Sequence, residues 1–103
     1  MSMMLTGRTV SAEEGLNLGF VNEVTKIEKL MTTAETWAQL ILDCSPTSIR
    51  TTKDVVMSGL SHADIEDAML AKYQSVNNLF KSEDFIEGPL AFSEKRKPNW
   101  TGK

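Results

Sequence analysis

The sequence has one cysteine, one histidine and three prolines in 103 residues. A single cysteine, Cys44, rules out an internal disulfide framework, and with His62 as the lone histidine a Cys/His zinc site has too few ligands. No apolar run approaches the roughly 18–20 residues a membrane-spanning helix needs, and no signal-peptide pattern opens the chain. There is no glycine-rich phosphate loop, no Gly-x-Ser-x-Gly elbow and no His-Glu-x-x-His pair. A surplus of basic charge is also missing: 11 Lys and Arg stand against 14 Asp and Glu, a formal charge of −3, which speaks against general nucleic-acid binding. These absences leave a reduced, cytoplasmic, soluble domain as the expectation. With 41% hydrophobic and 24% charged residues, the composition is that of a folded protein, long enough for one domain with one modest core.

Charge is unevenly spread. Residues 94–103 hold Lys95, Arg96, Lys97 and Lys103 against Glu94 alone, a basic end on an acidic body. Such a tail suits an anionic contact, and Trp100 within it argues for a docked segment, since a tryptophan has much apolar surface to bury.

Periodicity predicts helices throughout and no strand. Met3, Met4 and Leu5 read as the edge of something packed. Ser11-Ala12-Glu13-Glu14 has the pattern of a capping box, in which Ser11 accepts from the Glu14 amide and Glu14 reaches back. The short helix it opens ends at Gly19, and Phe20 to Val24 form an extended link. Ile27, Leu30, Met31, Ala34, Trp37, Ala38 and Ile41 trace an apolar stripe from Lys26 to Asp43. Ser45-Pro46 starts a third helix that runs to Gly59, serine as the cap and proline at the first position. Ser61 then caps a fourth, Ala63 to Lys81, with Ile65, Met69, Tyr73, Val76 and Phe80 facing inward. Ser82-Glu83-Asp84 opens the last, in which Pro89 predicts a kink or a late start, and Pro98 ends helical structure. The expected fold is therefore all-α, one helical domain over 1–103, with 94–103 as a basic, Trp-containing tail.

No catalytic constellation emerges. Cys44 has no histidine near it and reads as a buried or semi-buried structural thiol; His62 beside a helix cap reads as a surface residue. The acid clusters Glu13/Glu14 and Glu83/Asp84/Glu87 lie in early helical turns, where capping and the helix dipole explain them.

Three ordered motifs nevertheless form a familiar set. Leu5-Thr6-Gly7-Arg8 with Ser11-Ala12-Glu13-Glu14-Gly15-Leu16 and Leu18 to Val24, then Ser45-Pro46 with Thr52-Lys53, then Ser82-Glu83-Asp84, Glu87-Gly88, Ala91-Phe92 and Glu94-Lys95-Arg96-Lys97-Pro98, resemble the C-terminal region of the enoyl-CoA hydratase/isomerase (crotonase) family. The resemblance implies a helical region that packs on an N-terminal spiral of strand-strand-helix repeats, absent here, and that builds trimers. It implies that the oxyanion hole and the catalytic glutamates lie in that missing core, so this chain has no catalytic residue, binds no metal and holds no cofactor by itself. It further implies that Phe92 and Lys95 contact coenzyme A in the full enzyme, the ring as a stacking face and the ammonium as a point charge for a phosphate. Phe92 on a core face and Lys95 in solvent are the plainer alternatives. Val76 departs from members with an aromatic near that point. Two functions follow as expectations: the C-terminal part of an acyl-CoA enzyme that hydrates or isomerises 2-enoyl-CoA, or a freestanding helical self-association module without catalysis. Partners on either reading are further copies of the chain, with acyl-CoA in the full enzyme, and neither nucleic acid nor a membrane span.

Overall fold

The computed structural model describes residues 2–103. Among them every regular element is helical and no strand occurs, as the periodicity predicts. The helices are α1 (Ser2–Thr6), α2 (Ala12–Asn17), α3 (Leu30–Leu42, entered through a 3₁₀ turn at Ile27–Lys29), α4 (Pro46–Gly59), α5 (Ile65–Leu70), α6 (Gln74–Phe80) and α7 (Glu83–Ser93). The chain divides into two compact units, one ending at Thr36 and the other Trp37–Lys103, the boundary falling within α3.

In the first unit, α2 carries half of the expected capping box. The Ser11 hydroxyl accepts from the Glu14 amide at 3.1 Å, but the Glu14 carboxylate takes Arg8 instead of reaching back, with Nη2 to Oε1 at 2.7 Å and Nη1 to Oε2 at 3.2 Å. That guanidinium is the stronger donor, and it holds the Glu14 carboxyl below its usual range. The helix ends in a full Schellman motif: Gly19 sits at φ +83°, its amide donates to Leu16, and the Phe20 amide donates to Gly15. Gly15 is buried because Phe20 and Val21 fold back onto it; a Cβ there would lie 2.8 Å from Val21 Cγ2. Met4 and Leu5 on α1, expected to be packed, are exposed.

In the second unit, α4 starts as expected, with Ser45 Oγ accepting from the Ser48 amide and Pro46 in the first turn. It packs against α6, pinned where Thr51 Oγ1 donates to the Ser75 carbonyl at 3.2 Å. The expected fourth helix is two. Ser61 and His62 spend their amides on the Ser58 and Gly59 carbonyls closing α4, so Asp64 caps α5 instead, accepting from Asp67 at 2.8 Å. The chain then turns extended at Ala71, and the Tyr73 hydroxyl folds back to donate to the Ala68 carbonyl at 2.7 Å, satisfying an α5 terminus before α6 begins. Phe80 and Phe85 meet edge to face at 5.1 Å, joining α6 to α7. The late start at Pro89 does not occur: Ser82 caps α7 at its Phe85 amide, and the helix runs through Pro89 to Ser93.

The modest core expected from the composition is not there. Among the described residues Ala91 is the one buried hydrophobic side chain, while Ile65, Met69 and Phe80 of the expected inner face are exposed. Most well-buried side chains are instead polar: Ser45, Thr51, Ser82 and Asp84.

Candidate functional site

The two residues carried over by resemblance both lie where α7 ends. Phe92, on its last turn, is 87% exposed. Lys95 occupies the left-handed position just past the helix, at φ +54°, the one non-glycine residue with positive φ among those described. Two backbone bonds close this turn: the Lys95 amide donates to Phe92 at 3.2 Å and the Arg96 amide to Ala91 at 3.1 Å, a Schellman motif that a glycine would adopt without a Cβ penalty.

The next residue, Arg96, is fully engaged. Its Nη1 and Nη2 donate to Glu87 Oε1 and Oε2 at 2.5 and 2.9 Å, and its Nε donates to Glu94 Oε2 at 2.6 Å. Glu87 also accepts the Asn99 amide at 2.6 Å. The Arg96 guanidinium, and then the Asn99 amide, hold the Glu87 carboxyl down at about 2. The two carboxylates in turn raise Arg96 above its ordinary value. Among the described residues the Lys95 ammonium makes neither hydrogen bond nor ion pair. Of the tail's basic side chains, Arg96 is thus neutralised within the chain and Lys95 is left facing solvent.

The rest of the tail is docked, as Trp100 suggested. Asp84, 3% exposed, is its anchor. Its Oδ2 accepts from Ser45 Oγ at 2.8 Å and Thr47 Oγ1 at 2.7 Å; its Oδ1 accepts from the Thr101 amide at 2.8 Å and the Gly102 amide at 3.1 Å. Burial pushes the Asp84 carboxyl up, but these hydrogen bonds outweigh it and hold it well below the usual carboxylate range. Trp100 Nε1 donates to the Asp43 carbonyl at 3.0 Å and its ring lies over Gly88, where a Cβ would stand 3.4 Å from Cη2. Arg50 reaches the Gly102 carbonyl at 2.8 Å, and the Glu83 amide donates to Lys103 at 2.8 Å. Sequence reasoning explained Asp84 and Glu87 by the helix dipole and missed this role. The donors to Asp84 come from two segments, Ser45 and Thr47 at the start of α4 and Thr101 and Gly102 in the tail, so no local pattern announces them.

Other sequence candidates do not join a site. Cys44, expected to be buried or nearly so, is exposed in the turn between α3 and α4, its thiol donating to the Leu40 carbonyl at 3.4 Å; the buried position is the neighbouring cap Ser45. His62 is on the surface, edge-on to Tyr73 at 6.3 Å. Among the described residues no three His, Cys, Asp or Glu side chains gather as metal ligands, and no helix is long and apolar enough to cross a membrane.

Comparison with known proteins agrees with the motif order. The pattern of the Enoyl-CoA hydratase/isomerase family matches residues 1–103. The chain belongs to that family. Among curated enoyl-CoA hydratase/isomerase relatives, carnitinyl-CoA dehydratase of Escherichia coli (strain K12) is 40% identical over 108 residues, covering 98% of this chain and 40% of its own length. A putative short chain enoyl-CoA hydratase from Novosphingobium aromaticivorans superposes with TM-score 0.89 at 33% identity, over 99% of this chain and 40% of that one. A probable enoyl-CoA hydratase/isomerase from Mycobacterium abscessus gives 0.87 at 34%, over 100% and 40%. The chain therefore spans about 40% of the length of the curated relatives it matches, and it corresponds to a helical region of the crotonase fold.

Proposed function

We propose that this chain is the C-terminal helical part of a crotonase-type acyl-CoA enzyme, supplying contacts to coenzyme A and to further copies of the chain in a trimer-based assembly, while bond making belongs to the remainder of the fold. Hydration or isomerisation of a 2-enoyl-CoA needs preorganised donors at the thioester oxygen and a positioned acid/base. Three of the chain's 14 acids are committed to structure: Glu14 to Arg8, Glu87 to Arg96, and Asp84 to the tail. What supports the ligand role is the end of α7, where an exposed Phe92 ring precedes a left-handed Lys95 with a free ammonium. A ring offers an adenine a stacking face, and an ammonium suits a phosphate.

Calorimetric titration of the 103-residue chain with coenzyme A tests this. Measurable binding that weakens about tenfold in Lys95→Ala is the expected outcome, the scale of one charge-assisted contact. Binding by neither protein would return Phe92 and Lys95 to purely structural roles and favour the self-association module without a ligand.

A further inference from the structure

We infer that Glu87 is a positioning residue: by holding Arg96 and the Asn99 amide it fixes the turn that keeps Lys95 left-handed and its ammonium available for a phosphate of coenzyme A. The inference rests on the reading of Lys95 given above. Its starting point is the backbone. A lysine at φ +54° is disfavoured by its own Cβ, so the surroundings must hold it there. The two Schellman bonds from the Lys95 and Arg96 amides fix the helix side of the turn. Beyond the turn, restraint comes from Glu87. It lies two helical turns before Lys95, and takes both terminal nitrogens of Arg96, the residue immediately after Lys95, and the Asn99 amide as well. Lys95 is thereby bracketed between a helix end and a clamped arginine.

The same pairing sets the local electrostatics. Arg96 is the best phosphate donor of the three consecutive cations Lys95, Arg96 and Lys97, being planar and bidentate, but Glu87 and Glu94 occupy all three of its side-chain nitrogens. Glu87 and Glu94 thus withdraw Arg96 from competition, and among the described residues Lys95 and Lys97 remain as the cations of this segment without an ion pair, Lys95 being the one at the turn itself.

A double-mutant cycle with coenzyme A as titrant decides the matter. Glu87→Ala and Lys95→Ala are each expected to weaken binding about tenfold, and the double variant to be no weaker than either. Glu87→Gln, which keeps the length and an acceptor for Asn99, should fall between wild type and Glu87→Ala and guards against simple misfolding. Alongside, the three-bond HN–Hα coupling of Lys95, which differs between left- and right-handed φ, should change in Glu87→Ala and be restored in part in Glu87→Gln. Losses that add in the double variant, or unchanged affinity and coupling in Glu87→Ala, overturn the positioning role. So does tighter binding, which would mean that a released Arg96 takes the phosphate. Failure of the unsubstituted chain to bind coenzyme A overturns the underlying reading instead, and the coupling then decides alone whether Glu87 sets the Lys95 conformation.

Discussion

At Asp84 a single buried carboxylate gathers four donors, in a chain where Ala91 is the one buried hydrophobic side chain among the described residues. Truncation to alanine would leave two hydroxyls and two amides without their acceptor, at a cost of about 3 kcal/mol. The sign of its pH dependence follows from the depressed folded-state pKa. The unfolded chain takes up the proton first, so the stabilisation is complete above the ordinary carboxylate range, near pH 4, and is lost as pH falls through it toward the folded value. Glu87, held at about 2, acts in the same direction. The urea midpoint should therefore be level between about pH 5 and 8 and drop below about pH 4. Asp84→Ala should lower the plateau and flatten the acid limb; an unchanged limb would contradict the assignment. Lys95 obeys the opposite logic. Glycine fits the left-handed position without strain, so Lys95→Gly should raise stability by about 1 kcal/mol in the same urea experiment while weakening coenzyme A. A site that gains stability on losing its lysine is one where conformation has been traded for chemistry.

At the scale of elements, the legible features were those whose cause is local. The Ser11 and Ser45 caps, the Gly19 terminator and the span of α4 each depend on residues within a few positions of one another, and each stands where the sequence places it. The misjudged features depend on partners further off. The stripe from Ile65 to Phe80 has helical spacing, yet the reach of the Tyr73 hydroxyl to Ala68 divides it, and no period count contains that bond. Glu14 satisfies a capping-box pattern but meets Arg8 first. Gly15 is the most exacting position of α2. Its missing Cβ lets Val21 and Phe20 close over the helix, and a methyl group there would sit 2.8 Å from Val21 Cγ2. Gly15→Ala, which in an exposed helix would gain about 1 kcal/mol, should here lose stability, by about 1–3 kcal/mol in thermal unfolding, the range for overpacking. A rise in midpoint would show that the Phe20–Val21 fold-back is loose.

For the molecule as a whole, surface area tells more than composition. Large apolar side chains stand exposed in each of the two units, Met31 at 69% in the first and Ile65 and Met69 at 78% and 79% in the second. Exposed apolar faces of this kind are unusual in a monomer. Light scattering across a concentration series should accordingly show self-association, and a strictly monomeric species at high concentration would count against the assembly reading. Family and all-α class were readable because motif order survives along the chain; the exposure of each apolar face was not, because helical spacing marks a face without saying what packs on it. The tail carries one further implication, for time instead of energy. The ligands of Asp84 lie 39, 37, 17 and 18 residues away along the chain, so its shell closes only after α4 and α7 have formed and met. Tail docking is thus expected late in folding: in stopped-flow urea jumps Asp84→Ala should raise the unfolding rate and leave the folding rate nearly unchanged, and a slowed folding rate would contradict that order.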